Sequence, residues 1–262
     1  LTDAAIPAAT ILLLRDEPAF EVLMIERHAD TPFAGGAIVF PGGRIEASDA
    51  SPAWRAHCDG EDEVPAGEFG PRVAAIREAF EESGVLLARK DGVMLSNEAA
   101  AGLDGERSAV ETDDALFIEL IKANGLTLAL DALHLYARWE PPKRGHENMR
   151  RYHTWFFAAK TPPGQEARED GNEATEAFWA SPGAILKSCD AGARKAIFPT
   201  LRNLELLDVS DSAAGVFDFA ATRKIETVMP EIVKRDGAHV LMIPDDMGYP
   251  VTEESLETAF RS

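Results

Sequence analysis

Two cysteines, Cys58 and Cys189, are all that the 262 residues contain. That is too few for a disulfide framework, so both read as packing residues of a protein from a reducing compartment. No apolar run approaches the roughly 20 residues that a membrane-spanning helix needs. Positive charge is also scarce: 26 Lys and Arg face 45 Asp and Glu, for a net charge of -19. Such a balance argues against a general nucleic-acid binder or a partner of anionic membranes. Any anionic ligand of this chain has to find a local basic patch or a metal ion. Internal repeats and low-complexity tracts are absent. The opening stretch through Leu14 lacks a basic start and reads as a first strand rather than a signal peptide. The closing Phe260-Arg261-Ser262 does not read as a peroxisomal address, so a cytoplasmic protein is the expectation. Apolar side chains, at 45%, are plentiful enough to form a core and exclude disorder as the main state.

Two β-rich runs, Ala8 to Leu14 and Phe20 to Glu26, flank Arg15-Asp16-Glu17-Pro18 and suggest a hairpin. A short apolar run from Ala37 stops at Phe40-Pro41-Gly42-Gly43. Prolines and acids fill Glu46 to Gly70, which reads as a long surface loop with a short helix around Trp54. A helix follows, with Pro71 suited to its first turn and Gly84 to its left-handed end. Val85 to Ala88, Leu133 to Trp139, Tyr152 to Lys160 and Phe178-Trp179 read as strands. Thr112 to Ala123 reads as an amphipathic helix. Ser181-Pro182 opens another helix, Ala193 to Leu207 reads as a further one, and His239 to Ile243 is a candidate strand in a C-terminal extension.

The helix after Pro71 carries the chemistry. At 100° per residue Val73, Ile76 and Phe80 fall within about 60° of one another, while Glu78, Glu81 and Glu82 gather within about 100° on a different side. Like charges at these spacings disfavour a bare helix, so an enclosed acidic face calls for compensation. A hard divalent cation supplies it: Mg²⁺ takes oxygen ligands and is typically held by one or two carboxylates plus a substrate phosphate. The alternative is a solvated acidic face. Against that alternative stands the glycine corner, where close backbone approach would let a Gly43 carbonyl face the helix.

Gly43, Asp49 and Arg77-Glu78-Ala79-Phe80-Glu81-Glu82-Ser83-Gly84-Val85 resemble the Nudix box. Its second half matches at every specified position. Asp49 stands where the family has Glu, and 20 extra residues separate it from Arg77, within the acidic loop. Such an insertion, with Phe-Pro-Gly-Gly, Trp139-Glu140-Pro141-Pro142 and Arg151-Tyr152-His153-Thr154-Trp155-Phe156-Phe157, is similar to the branch containing the peroxisomal coenzyme A diphosphatases, His153 replacing that branch's acid. The resemblance implies an α/β/α sandwich with a mixed sheet over residues 1–207, an insertion at about 50–70 and an extension over 208–262. It implies a pyrophosphohydrolase using Mg²⁺ or Mn²⁺ on a small nucleoside-diphosphate conjugate, with coenzyme A or acyl-coenzyme A as the leading substrate. ADP-ribose, nucleotide sugars and dinucleotides are the rivals within the enzyme class, and a non-catalytic ligand-binding module is the rival outside it. By position, Glu81 and Glu82 are the main metal ligands, Glu78 a further ligand or the base, and the Gly43 carbonyl an additional ligand. Arg77 orients a carboxylate. For the general base, Glu173 from a later loop is favoured, with Glu176 next. Lys143-Arg144 with Arg150-Arg151 form the densest basic segment, and Arg44 lies nearer the turn; these are the candidate substrate contacts. Trp139, Trp155 and Trp179 read chiefly as core residues, and the extension is a candidate homodimer contact.

Overall fold

The computed structural model describes residues 5–31, 34–142, 151–169, 174–235 and 237–259. Strands β1 (Ile6–Arg15) and β2 (Glu21–Arg27) pair antiparallel only near their turn, Leu14 against Val22 and Arg15 against Glu21. Beyond that point the short strands β3 (Ile38–Val39) and β4 (Gly42–Arg44) pair with β2 and β1 respectively. The hairpin is therefore splayed, and the glycine corner is wedged into the splay. Strands β5 (Cys58–Asp59), β6 (Ala88–Lys90), β7 (Val93–Met94) and β8 (Thr127–Ala129) make a small separate sheet in the order β5-β8-β6-β7. With β9 (His134–Trp139), β10 (Tyr152–Lys160), β11 (Ala174–Ala180) and β12 (Thr227–Val228), the main sheet runs β11-β2-β1-β10-β9-β12. It is mixed: β1–β10 and β9–β12 are parallel and the other pairs antiparallel.

Both faces of this sheet are covered, which is why Ile11-Leu12-Leu13-Leu14 is apolar without alternation. Ile11 and Leu13 enter one core with residues of α1 (Phe69–Ser83), α3 (Arg107–Thr112) and α4 (Ala115–Ala123), helix α2 (Asn97–Ala101) preceding α3 in the chain. Leu12 and Leu14 enter the other, with residues of α5 (Pro182–Asp190), α6 (Phe198–Leu207) and α7 (Ala213–Thr222). This is an α/β/α sandwich. The segment after Leu207 closes the second core through Leu241, Ile243, Met247 and Tyr249. Trp139 Nε1 donates to the Tyr249 hydroxyl at 2.9 Å. Strands β13 (Glu231–Arg235), β14 (Ala238–Met242) and β15 (Glu253–Ser255) form a third sheet there, followed by α8 (Leu256–Ala259). Among the described residues no helix is long and apolar enough to cross a membrane.

The structure departs from the sequence expectations in four places. The acidic stretch after Glu46 is not a loose loop: Trp54, on a 3₁₀ turn over Pro52–His57, is 1% exposed and its ring lies 5.4 Å from that of Phe117. One aromatic anchor outweighs the polar composition around it. The helix expected over Thr112 to Ala123 is broken into α3 and α4 at Asp113-Asp114, where Asp113 is extended and its side chain accepts from the Ala115 amide. The strand expected at Val85 to Ala88 begins only at Ala88. The helix expected from Ala193 starts at Phe198. Cys58 and Cys189 are free and partly buried against the two cores, as packing residues.

Where α6 meets β15, Arg202 pairs with Glu205 at 2.6 Å and with Glu254 at 3.3 Å. Burial pushes the Glu205 carboxyl up to about 7, against the pull of Arg202 and with Glu254 and Asp190 adding to the rise. A carboxyl raised in the folded state contributes fully below its ordinary value of 4.5 and loses that contribution as pH rises through about 7. Denaturant midpoints should therefore fall across this window. Glu205→Gln should flatten the fall, and an unaltered slope in the variant would show that other groups cause it.

Candidate active site

Helix α1 begins after Glu68, with Pro71 inside its first turn, and ends where Gly84 takes φ 70° and its amide donates to the Phe80 carbonyl at 2.9 Å. A left-handed residue at that point costs glycine little. Between these ends the helix is buried on every side. Its apolar face meets the first core. Its acidic face is closed off by β4, Asp49 and β2, so that Glu78, Glu81 and Glu82 are only 9%, 7% and 6% exposed.

Each carboxylate has an assigned neighbour. Arg77 is the hub: its Nε and Nη2 donate to the two oxygens of Asp49 at 2.9 and 3.0 Å, and its Nη1 reaches Glu81 at 2.9 Å and Glu78 at 3.0 Å. Nη2 also donates to the Arg44 carbonyl at 2.8 Å, tying the helix to the strand that carries Gly43. Asp49 in turn accepts from the Glu46 amide at 2.8 Å. The box position held by Asp instead of Glu is thus a buried anchor for Arg77. Glu82 accepts from the Gly42 amide at 2.8 Å and faces Arg27 Nη1 at 3.4 Å. Arg107, on α3, donates twice to the Glu81 carbonyl, at 3.0 and 2.8 Å, and fixes the end of the helix.

Gly43 fits against Glu78 with no room to spare. A Cβ there would lie 2.6 Å from each oxygen of the Glu78 carboxylate. Gly43→Ala must push the carboxylate or the strand aside. Since a displacement of about 1 Å at a reacting centre costs about a hundredfold in rate, turnover should fall by that order. Overpacking alone should cost only about 1–3 kcal/mol of stability. A folded Ala variant with parental turnover would show that the close approach has no catalytic role.

Four buried carboxylates stand against the guanidinium groups of Arg77 and Arg27, a surplus of negative charge in a site from which water is largely excluded. Burial pushes Glu78 well above the usual carboxylate range; Arg77 pulls it back, and Glu81 and Glu82 push the same way as burial. Glu81 is raised for the same first cause, again opposed by Arg77. All-oxygen donors with surplus negative charge suit a hard divalent cation. Among the described residues no three such groups are gathered for an ion as they stand.

The other sequence candidates are placed as follows. Arg44 is exposed, 3.6 Å from Glu46. Arg151 pairs with Glu140 at 2.6 Å. Glu176 pairs with Arg194 at 2.9 Å, and Arg194 lies over the Phe178 ring, which packs toward the second core; the structure does not bring Glu176 to the acidic helix. Glu173, Arg144 and Arg150 lie outside the described residues. Two members of the site are brought to it by the fold: Arg27, close in sequence to the glycine turn, and Arg107. Neither belongs to a motif, and their approach to α1 depends on the course of β2 and α3.

A family model for the NUDT19 Nudix domain matches residues 56–200, and one for the NUDIX domain matches residues 5–102. Proteins called acyl-coenzyme A diphosphatase NUDT19 align with the chain, among them those of Gallus gallus, Xenopus laevis and Homo sapiens. The Gallus gallus protein is 26% identical over 93% of this chain and 79% of its own length. The Homo sapiens protein is 29% identical over 66% of this chain and 57% of its own length. The crystal structure of a NUDIX hydrolase from Alicyclobacillus acidocaldarius superposes with a TM-score of 0.69 at 26% identity, covering 85% of this chain and 98% of that one. With its box helix, glycine corner and buried glutamates in the arrangement just described, and with more than half its length matched by the NUDT19 Nudix domain, the chain belongs to the Nudix hydrolase family.

Proposed function

We propose that this Nudix pyrophosphatase cleaves the diphosphate of coenzyme A or an acyl-coenzyme A, releasing adenosine 3′,5′-bisphosphate and the (acyl-)phosphopantetheine. The reaction class rests on one observation above the others, the buried surplus of carboxylate on α1 facing the Gly43 backbone. The substrate is supported by the names of the aligned relatives, whose similarity runs across both the box and the segments after it.

In this reading Glu81 and Glu82, with Glu78 and the Gly43 carbonyl, hold Mg²⁺ or Mn²⁺, which when bound neutralises phosphate charge and lowers the pKa of an attacking water. Arg77 sets the positions of Asp49, Glu78 and Glu81 by charge-assisted hydrogen bonds. It also keeps the carboxylates partly neutralised before the cation arrives. The Gly42 amide fixes one oxygen of Glu82. The base is Glu173, or Glu78 where Glu81, Glu82 and the Gly43 carbonyl hold the cation without it; Glu176, held by Arg194, is disfavoured.

The test is a panel of coenzyme A, acyl-coenzyme A, ADP-ribose, nucleotide sugars, dinucleoside polyphosphates and NADH, each with Mg²⁺ and with Mn²⁺. Coenzyme A or its thioesters should be cleaved with the highest kcat/KM, with the bisphosphate appearing as product. Ready turnover of another member without the bisphosphate from coenzyme A overturns the substrate assignment.

A further inference from the structure

The sheet face that carries Gly43 continues sideways into a strip of a different character. Gly43 pairs with Ala9, Ala9 with Trp155, and Trp155 with Arg138, so one cross-strand row runs from β4 through β1 and β10 to β9. Residues paired in this way project to the same face, and Ala9 is in the core beneath α1, which identifies that face as the one bearing Glu78. At about 4.8 Å per strand, Trp155 lies about 10 Å and Arg138 about 14 Å from Gly43. In the adjacent row Pro7 pairs with His153. Pro7 sits in a central strand and is nevertheless exposed. Among the described residues, then, no helix covers the floor of the sheet at Pro7.

The residues on that floor suit an anion. Arg138 has no carboxylate partner among the described residues, although the chain carries a net charge of -19. Its guanidinium lies 5.1 Å from the Trp155 ring centroid, and Nη2 donates to the Ile225 carbonyl at 3.1 Å. Arg138 Nε and His153 Nε2 are both buried without a hydrogen-bond partner. Buried nitrogens of this kind call for a water or a ligand, as do the Nε atoms of Arg202 and Arg223 elsewhere in the chain. The His153 ring stacks on Trp155 with centroids 6.0 Å apart and an interplanar angle of 26°, so the three side chains form one packed unit.

We propose that Arg138, positioned on Trp155 and assisted by His153, binds a phosphate on the ribose of the substrate, one nucleoside away from the diphosphate held at α1. This deepens the reading given above and rests on it for the identity of the substrate. Arginine suits the task because its planar fork recognises phosphate oxygens and stacks on an aromatic ring at the same time.

Calorimetry with adenosine 3′,5′-bisphosphate and with AMP tests it without requiring turnover. The parent should prefer the bisphosphate by about tenfold or more, the scale of one charged hydrogen-bonding partner. Arg138→Gln should bring that ratio near one, and Arg138→Lys should keep part of it. The ratio of KM for coenzyme A to KM for dephospho-coenzyme A should move in parallel. Absence of any preference in the parent overturns the proposal before any variant is made, and so does a preference that survives Arg138→Gln. A parent that discriminates between the two ligands but leaves coenzyme A intact refutes the substrate reading and leaves the phosphate subsite standing.

Discussion

Glu82→Gln should reduce hydrolysis by about a hundred- to a thousandfold, the range seen when one preorganised electrostatic group is removed from a reacting centre. The substitution keeps size and an oxygen that can still accept from the Gly42 amide, so the local backbone has no reason to move. It removes one negative charge from a cluster in which burial and like charges already disfavour ionisation. The variant should therefore remain folded, with a melting temperature at or near that of the parent, while its affinity for Mg²⁺ falls. Activity under saturating metal, metal titration and thermal melting measured together make the result decisive. A folded Gln variant that turns over at the parental rate would remove the acidic face of α1 from the reaction.

Arg77→Met should have the largest effect on stability. Arg77 is 3% exposed and holds Asp49, Glu78 and Glu81 at once. Removing one partner from a buried ion pair costs about 3–5 kcal/mol because the remaining charge is left uncompensated. For a chain of this size that corresponds to a drop in Tm of roughly 6–20 °C. The sign of the pH dependence follows from the same picture. Without the guanidinium the carboxylates are raised further in the folded state, so the deficit should shrink at acid pH, where they are protonated, and grow as pH rises. Saturating Mg²⁺ should restore part of the loss, since a ligand of the folded state stabilises it by mass action. An equal deficit at all pH values, unaffected by the ion, would mean that Arg77 contributes by packing rather than by charge.

The acidic cluster of α1 was legible in the sequence because it is local. Glu78, Glu81 and Glu82 share a helix face at spacings set by helical geometry, and Gly84 marks the helix end by its need for positive φ. The strands β1, β2, β9 and β10 were legible for the same reason, as apolar runs bounded by turn residues. Less was legible where a single contact overrides composition. Nothing in the acidic stretch after Glu46 announces that Trp54 is in the core, because what buries it is Phe117, more than sixty positions away. Glu176 illustrates the converse. Its position just before Trp179 made it a candidate base, but the strand turns its carboxylate toward Arg194.

From the sequence alone came the box and the identity of its acids, which follow from residue type and short-range spacing, and the layered α/β architecture as what the resemblance to the family implied. Only the tertiary structure decided that the acidic face is enclosed rather than solvated, that Asp49 serves to hold Arg77, and that Arg27 and Arg107 close the site. The physical reason is that burial and charge pairing depend on which distant segments meet. Helix α1 has the same acidic face in either case, and it is β2, β4 and α3 folding against it that take its carboxylates out of water.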